Sequence, residues 1–504
     1  MDFEEKTVPM THVHELSTKV LTKQTDGQYD IALSFLRDQD PDGLQYTDEE
    51  ARRVLWKLDL TILPMMTICF VLNFVDKGIL SNASIFGLFE SLNIDSKGYS
   101  WLVSAFYFGY LAGLPLTLYV LHLIPAGRWL VINLFLWGLS LMAMAGAKDF
   151  ASGFVCRFFI GFFEACVNPV MVLLTAQYYT RKEHALRSCM WWAGNPIGAV
   201  ISDFVAYGLG FSHGALPPWK YMFICFGSLT ILYSLFMFMF FPESPMTMKR
   251  LTPRERTVAV LRVIDNQTGI AGNHFKWSQV KEALLDPQVW LFVIITYVQC
   301  IPGGGLTNFS KLIIESLGYD NLQTIIMGLP SDAIQFASVI IAGVCGSYFT
   351  NARCIVMFLS NVPCLVGACL VYFLPVSHKL QRLAGIYITF TNTVSYIMCM
   401  SMVASNLAGM TKKNTAACLM FLAYCAGNLT APHFFSSGNY LAGFESMIAS
   451  FALMIFFALV LMAYLIWENL RRNKTYGKPT IEEVPNLLED MTDKEQRESF
   501  RYRW

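Results

Sequence analysis

The sequence predicts an all-α membrane protein: twelve transmembrane helices arranged as two pseudo-symmetric six-helix halves. Three observations carry that prediction. The 504 residues are 54% hydrophobic and only 15% charged, against about 25% charged in an ordinary soluble domain. The apolar residues fall into runs of about 20, the length that crosses a bilayer as a helix. A long basic stretch separates the sixth run from the seventh, the layout of a bundle built from two repeats.

The runs start near Leu60, Tyr99, Trp129, Ala151, Leu186, Trp219, Gln288, Thr324, Arg353, Leu383, Thr415 and Phe444. Pro64, Pro115, Pro169 and Pro196 interrupt some of them, which a membrane helix tolerates where neighbouring helices re-satisfy the backbone. The predicted division is an N-terminal tail (1–57), a first half (58–241), a linker (242–287), a second half (288–468) and a C-terminal tail (469–504). Within the linker, Thr252 to Asp265 reads as a short amphipathic helix at the membrane surface. The ends, 1–50 and 474–504, read as polar, flexible tails. No apolar stretch follows a basic start in the first 57 residues, so no cleaved signal peptide is expected.

Orientation follows from the basic residues, which collect on the cytoplasmic side. Arg52, Arg53, Lys57, Arg181, Lys182, Arg187, Lys412, Lys413, Arg471 and Arg472 all fall on one side if the termini are inside. Both termini are therefore expected in the cytoplasm. Lys plus Arg equals Asp plus Glu at 37 each, which argues against a nucleic-acid partner. The thirteen cysteines lie mostly inside apolar runs and form no C-x-x-C pair, so neither a disulfide framework nor a metal site is expected. No nucleophile–base spacing or phosphate loop is present, so no enzyme and no cofactor are expected.

Charge inside the apolar runs is the informative feature. Arg157 and Glu164 lie in SGFVCRFFIGFFEACVNPVMVLL. Seven residues is nearly two turns, so both side chains leave the same face, about 10 Å apart along the axis. Facing lipid would be costly for either charge, so both face the bundle interior or a water-filled cavity. They form either a ligand or proton site, or an ion pair that only tightens packing. His433 in the eleventh run is either a ligand contact or a hydrogen-bonded packing residue. Asn428, Tyr424, Asn392, Asn308 and Gln335 suit a cavity lining and interhelical hydrogen bonds equally well. Trp101, Tyr107, Trp191 and Trp192 fit an interfacial belt or core packing.

Several stretches together resemble the fungal allantoate permease family, the anion:cation symporter branch of the major facilitator superfamily. In order they are NFVDKGILSNASIFG, YSWLVSAFYFGYLAG, RFFIGFFEACVNP, WKYMFICFGSLTILY followed by FFPESP, the linker runs LTPRERTVAVLRVIDNQTGI and FKWSQVKEALLDPQVW, then GGGLTNFSKLII, AGMTKKNTAA and AYCAGNLTAPHFF. They span Leu58 to Glu468. The resemblance implies the major facilitator fold, with alternating access to a central cavity. It implies a multi-pass protein of the plasma membrane that imports a small organic anion (a carboxylate, ureido acid or vitamin-like acid) with a proton. A monomer among membrane lipid is expected. The alternatives are a proton-antiport exporter of a metabolite and a non-transporting nutrient sensor.

The resemblance also implies that Asp76, Lys77, Arg157 and Glu164 are the charged residues of the central site, although Asp76 and Lys77 also suit a solvated helix end. A guanidinium fork replaces the water shell of a carboxylate with paired charge-assisted bonds. Arg157 is therefore the first candidate for the substrate carboxylate, with Lys77 as a second point charge and His433, Asn428 and Tyr424 as further contacts. Burial raises a carboxyl pKa and a nearby cation lowers it, which makes Glu164 and then Asp76 the candidates for proton coupling. Departures from the family pattern are Asp203 in the fifth run, Asp332 after GLPS and the segment GNLTAPHFF. Asp203 and Asp332 are candidate specificity residues, suited to a ligand with a cationic or donor-rich group beside its carboxylate, or to a less anionic one. The loop LHLIPAGRW keeps Arg128 but lacks the acid of the general superfamily signature.

Overall fold

A computed structural model describes residues 46–121, 123–212, 214–264, 276–348, 351–375, 377–436, 440–477, 491–498 and 500–504. The expected tail before residue 46, the centre of the linker and the stretch 478–490 lie outside the described residues. Among the described residues the chain is helical and contains no strand.

The first half comprises α1 (Asp48–Asp59), α2 (Ile62–Ser84), α3 (Leu88–Leu92), α4 (Ser96–Val120), α5 (Ala126–Ala145), α6 (Phe150–Glu164), α7 (Val167–Tyr178), α8 (Arg181–Trp192), α9 (Gly194–Gly210) and α10 (Pro218–Phe240). The linker carries α11 (Pro253–Ile264) and α12 (Trp277–Leu284). The second half comprises α13 (Pro287–Ser316), α14 (Asn321–Tyr348), α15 (Arg353–Phe373), α16 (Lys379–Thr389), α17 (Thr393–Asn406), α18 (Met410–Phe434) and α19 (Leu441–Tyr476). Among the described residues, eleven stretches are long and apolar enough to cross a membrane. The fifth expected run, α8 with the 17-residue α9, is not among them.

The helix ends follow from local chemistry. Asp149 accepts from the Ser152 amide in a reciprocal capping box that starts α6, and the Asp95 carboxylate accepts from the Gly98 amide at the start of α4. The Ser152 hydroxyl and amide bonds hold the exposed Asp149 carboxyl below its usual range. Pro169 has no N–H for the carbonyl four residues earlier, and the chain breaks at Ala165–Cys166, leaving Glu164 as the last residue of α6. Pro196 acts likewise at Ala193, between α8 and α9. Pro115, by contrast, lies within the unbroken α4.

An even number of crossings puts both described chain ends at one end of the bundle, here termed proximal. Direct hydrogen bonds between the halves cluster toward the other, distal end. Tyr99 Oη donates to Asn308 O at 2.9 Å, Ser100 Oγ to Pro432 O at 2.9 Å, and Asn321 Nδ2 to Ile85 O at 2.7 Å. The deepest is Tyr107 Oη to Asn428 Oδ1 at 3.1 Å.

The linker is divided between the halves. Helix α11, which coincides with the expected amphipathic segment, is tied to the first half by Lys57–Glu255 at 2.6 Å, Arg254–Glu50 at 3.0 Å and Arg262–Glu183 at 2.6 Å. Helix α12 belongs to the second half, where Gln279 Oε1 accepts from the amides of Thr411 and Lys412.

One expectation is corrected. The polar C-terminus does not behave as a free tail: α19 runs on to Tyr476, and residues 491–498 and 500–504 fold back as a strap under the second half. Asp493 is fully buried and bonded to Lys412 Nζ at 2.7 Å and Tyr502 Oη at 2.6 Å. Arg472 Nη1 reaches the Asp493 carbonyl at 3.0 Å, and the Arg353 amide donates to Trp504 O at 3.2 Å. Burial, then the adjacent Asp493 carboxylate, raises the Tyr502 pKa, so its hydroxyl stays a donor. A run rich in charge escapes sequence reading because its polar groups are satisfied by buried partners that only the fold supplies.

Candidate functional site

The site is built on contact between α4 and α6. A Cβ placed on Gly109 would lie 1.9 Å from Phe158 O, and one on Gly161 would lie 1.9 Å from Phe106 O. No side chain fits there, so the two backbones touch. That approach lays the Phe106 ring against both cations of the site, with Arg157 Cζ 5.3 Å and Lys77 Nζ 5.4 Å from its centroid.

The four charged residues expected from sequence come together as two crossed ion pairs joining α2 to α6. Arg157 Nη1 meets Asp76 Oδ1 at 3.2 Å, with side chains 2% and 1% exposed. Lys77 Nζ meets Glu164 Oε1 at 2.6 Å, with side chains 15% and 0% exposed. Asn73, one turn before Lys77, donates to the same Glu164 oxygen at 2.7 Å and accepts from Lys77 at 3.1 Å. Trp137 Nε1 on α5 holds the second Asp76 oxygen at 3.3 Å. Neither Asn73 nor Trp137 was singled out from the sequence. Asn73 carried a usable signal, one helical turn before a lysine in a run, whereas the indole of Trp137 is indistinguishable from packing.

Two buried polar atoms of this network have no partner: Arg157 Nε and Glu164 Oε2. Buried polar atoms are rarely left unpaired, so a donor and an acceptor remain for water, a proton or a ligand. The network holds two cations and two carboxylates and is neutral when all are ionised.

The other expected site residues lie elsewhere. Asn428 is bonded to Tyr107, and its amide donates to Tyr424 O at 2.9 Å, while the Tyr424 ring packs 6.3 Å from that of Tyr107. His433 is exposed, 3.2 Å from Ser104 Oγ and with its ring 4.8 Å from Trp101. Asp203 is directly bonded to Lys311 on α13, a partner the sequence reading missed. Asp332 borders a small cavity of about 40 Å³ between the halves, alongside Gly78, Asp203, Lys311, Ser331 and Gln335. The four charged residues of the network are not among those that line this cavity. No cluster able to hold a metal ion occurs among the described residues.

Twelve crossings in two halves, a polar cavity between them and ion pairs buried at membrane depth define a membrane transporter. Comparison with known proteins makes the assignment specific. The family model described as Major Facilitator Superfamily matches residues 66–432. An uncharacterized transporter of Schizosaccharomyces pombe is 35% identical, over 94% of this chain and 91% of its own length. The allantoate permease of Saccharomyces cerevisiae is 31% identical, over 91% and 88%. The inward-open xylose transporter XylE from E. coli has a TM-score of 0.63 at 14% identity, covering 78% of this chain and 95% of that one, a likeness of fold. The chain belongs to the major facilitator superfamily, in its allantoate permease-like family, and is a transporter rather than an enzyme.

Proposed function

We propose that this chain imports a small organic anion together with a proton. The observation that carries the reading is the neutral pair of crossed ion pairs with one open donor and one open acceptor. Adding an anion alone leaves a net negative charge at membrane depth, which is costly. Adding a proton with it restores neutrality. Protonation of Glu164 withdraws the counter-charge from Lys77 and frees that ammonium for the substrate carboxylate, while Arg157 supplies a second, forked donor. Anion and proton therefore bind as a pair, and neither crosses efficiently without the other. Asp76 keeps Arg157 oriented and is the second protonation candidate. Asn428 and Tyr424, from the second half, are the further substrate contacts in this reading. The name of the S. cerevisiae relative points to ureido acids as the first class to try. The reading includes cytoplasmic termini, placement in the plasma membrane and a monomeric transporter.

Proteoliposomes loaded at neutral pH and assayed with labelled allantoate test this. A thermal-shift screen against carboxylates, ureides and vitamin acids supplies the probe if allantoate does not bind, since a ligand raises stability by mass action. Uptake should rise as external pH falls. Arg157→Gln should lose uptake, and Glu164→Gln should retain exchange of internal for external substrate while losing accumulation. Normal transport by Arg157→Gln, or accumulation by Glu164→Gln, would overturn the assignment. Net efflux driven by an inward proton gradient would mark an exporter instead.

A further inference from the structure

A second set of intramembrane charges lies outside the central network, near the distal end. Asp203 on α9 belongs to the first half and Lys311 on α13 to the second. They are directly bonded, with side chains 5% and 8% exposed. Among the described residues this is the one ion pair that joins the two halves; the other inter-half contacts there are neutral hydrogen bonds.

Each partner has a companion within its own half. Asn82 Nδ2 on α2 donates to Asp203 Oδ1 at 3.0 Å and lies 3.3 Å from Ser202 Oγ. Asp332 on α14 lines the same cavity as Lys311, interacts with the side chains of both Asp203 and Lys311 and, among the described residues, forms no ion pair of its own. The backbone of α14 is shaped to this arrangement. A Cβ on Gly328 would sit 2.1 Å from Lys311 Nζ and 3.6 Å from Asp203 Oδ2. Only a residue without a side chain lets the ammonium lie there and reach across.

From this geometry we infer that Asp203–Lys311 is the distal latch of the transporter, and that Lys311 passes to Asp332 when the halves part. Rupture of a buried ion pair that strands both charges is strongly disfavoured. An exchange is not: Lys311 keeps a carboxylate within its own half, and Asp203 keeps the Asn82 amide. The latch therefore holds the distal end shut without making its opening prohibitive. Asp332 sets how readily it opens. The inference does not depend on which solute is carried or on proton coupling.

Spin labels at Lys97 and Asp320, exposed on the distal ends of α4 and α14, report the opening by distance measurement on the purified full chain in lipid nanodiscs. Asp203→Asn removes the cross-half partner and should raise the distal-open population about tenfold or more. Gly328→Ala should act in the same direction by displacing the ammonium. Asp332→Asn keeps a donor for Asp203, leaves the Asp203–Lys311 pair in place and removes the receiving carboxylate, so it should lower the open population. Opposite shifts for Asp203→Asn and Asp332→Asn support the exchange. Shifts in one direction, or none, overturn it. The two asparagine variants preserve side-chain shape, and a monodisperse elution profile shows that they fold.

Discussion

Replacing Lys412 with Met should release the C-terminal strap, and the structure gives the size of the effect. Lys412 is fully buried at the start of α18. Its ammonium is shared by Asp286 at 2.7 Å, Asp493 at 2.7 Å and Glu282 at 2.9 Å. Met matches the length of the stem but leaves Asp286 and Asp493, 1% and 0% exposed, facing each other without their common cation. The nearest replacement, Lys494, is 3.5 Å from Asp286. Removing one partner from a buried ion cluster costs about 3–5 kcal/mol. The least costly relief is for the strap to leave, since Asp493 is the one carboxylate of the three that is not on the linker. At about 1.4 kcal/mol per factor of ten, the undocked population should rise by about a hundredfold to a few thousandfold. Hydrogen exchange of amides 491–504 reads this population directly, and trypsin should then cut at Lys494, Arg497 and Arg501. Protection of those amides equal to the parent's would refute the reasoning, because the strap would be held by something other than this cluster.

Three further predictions follow from the same geometry. Gly161→Ala drives a methyl group into Phe106 O and should cost about 1–3 kcal/mol or more, seen as a lower melting temperature of the purified protein. Gly208→Ala, whose Cβ would meet nothing within 4 Å, should leave the melting temperature unchanged. Asp76→Asn and Arg157→Gln each strand a buried charge, whereas the double variant strands none. A double-mutant cycle should therefore give a double that is less destabilised than the sum of the singles. The Glu50 carboxyl is held below its ordinary 4.5 chiefly by the bond from Arg254. For Glu255, burial pushes upward but bonds from Lys57 and Thr252 outweigh it, and the net direction is again down. A lowered folded-state value gives stability that is complete above about pH 4.5 and is lost as pH falls through the folded value. Spin-label distances between α1 and α11 should therefore hold at pH 6 and lengthen below about 4.5. Each of these partly exposed pairs contributes under about 1 kcal/mol.

How far the molecule was legible in its sequence depended on what lipid forbids. Charge in hydrocarbon is so costly that Arg157 and Glu164 declared themselves, and runs of apolar residues located the helices to within a few positions. The partnering was not legible. The sequence pairs Arg157 with Glu164 by helical face, yet the structure joins each to a residue of α2, because Gly109 and Gly161 let α4 and α6 close up and turn that face toward Asp76 and Lys77. Lys311 was overlooked because it lies five residues from the end of α13, where a lysine normally snorkels to the interface. Asp203 was the available clue: a carboxylate in a span needs a counter-charge, and the nearest lysine in another span was the one to seek. Asp493 gave no such clue, since a charge in a polar terminus is ordinary until something buries it.

The division of the linker gives these separate clusters a common logic. Helix α11 is pinned to the first half by three ion pairs, and α12 is locked into the second by Gln279, Glu282 and the strap. Each linker helix therefore stays with the half to which it is tied. The strap surrounds Asp286, the cap of α13, and α13 carries Lys311 near its other end. A 30-residue helix spans about 45 Å, so α13 links the strap at one end of the bundle to the distal latch at the other. If that coupling holds, Lys412→Met should raise the distal-open population as well as freeing the C-terminus. Labels at Lys97 and Asp320 that show no change in this variant would confine the strap to a local structural role.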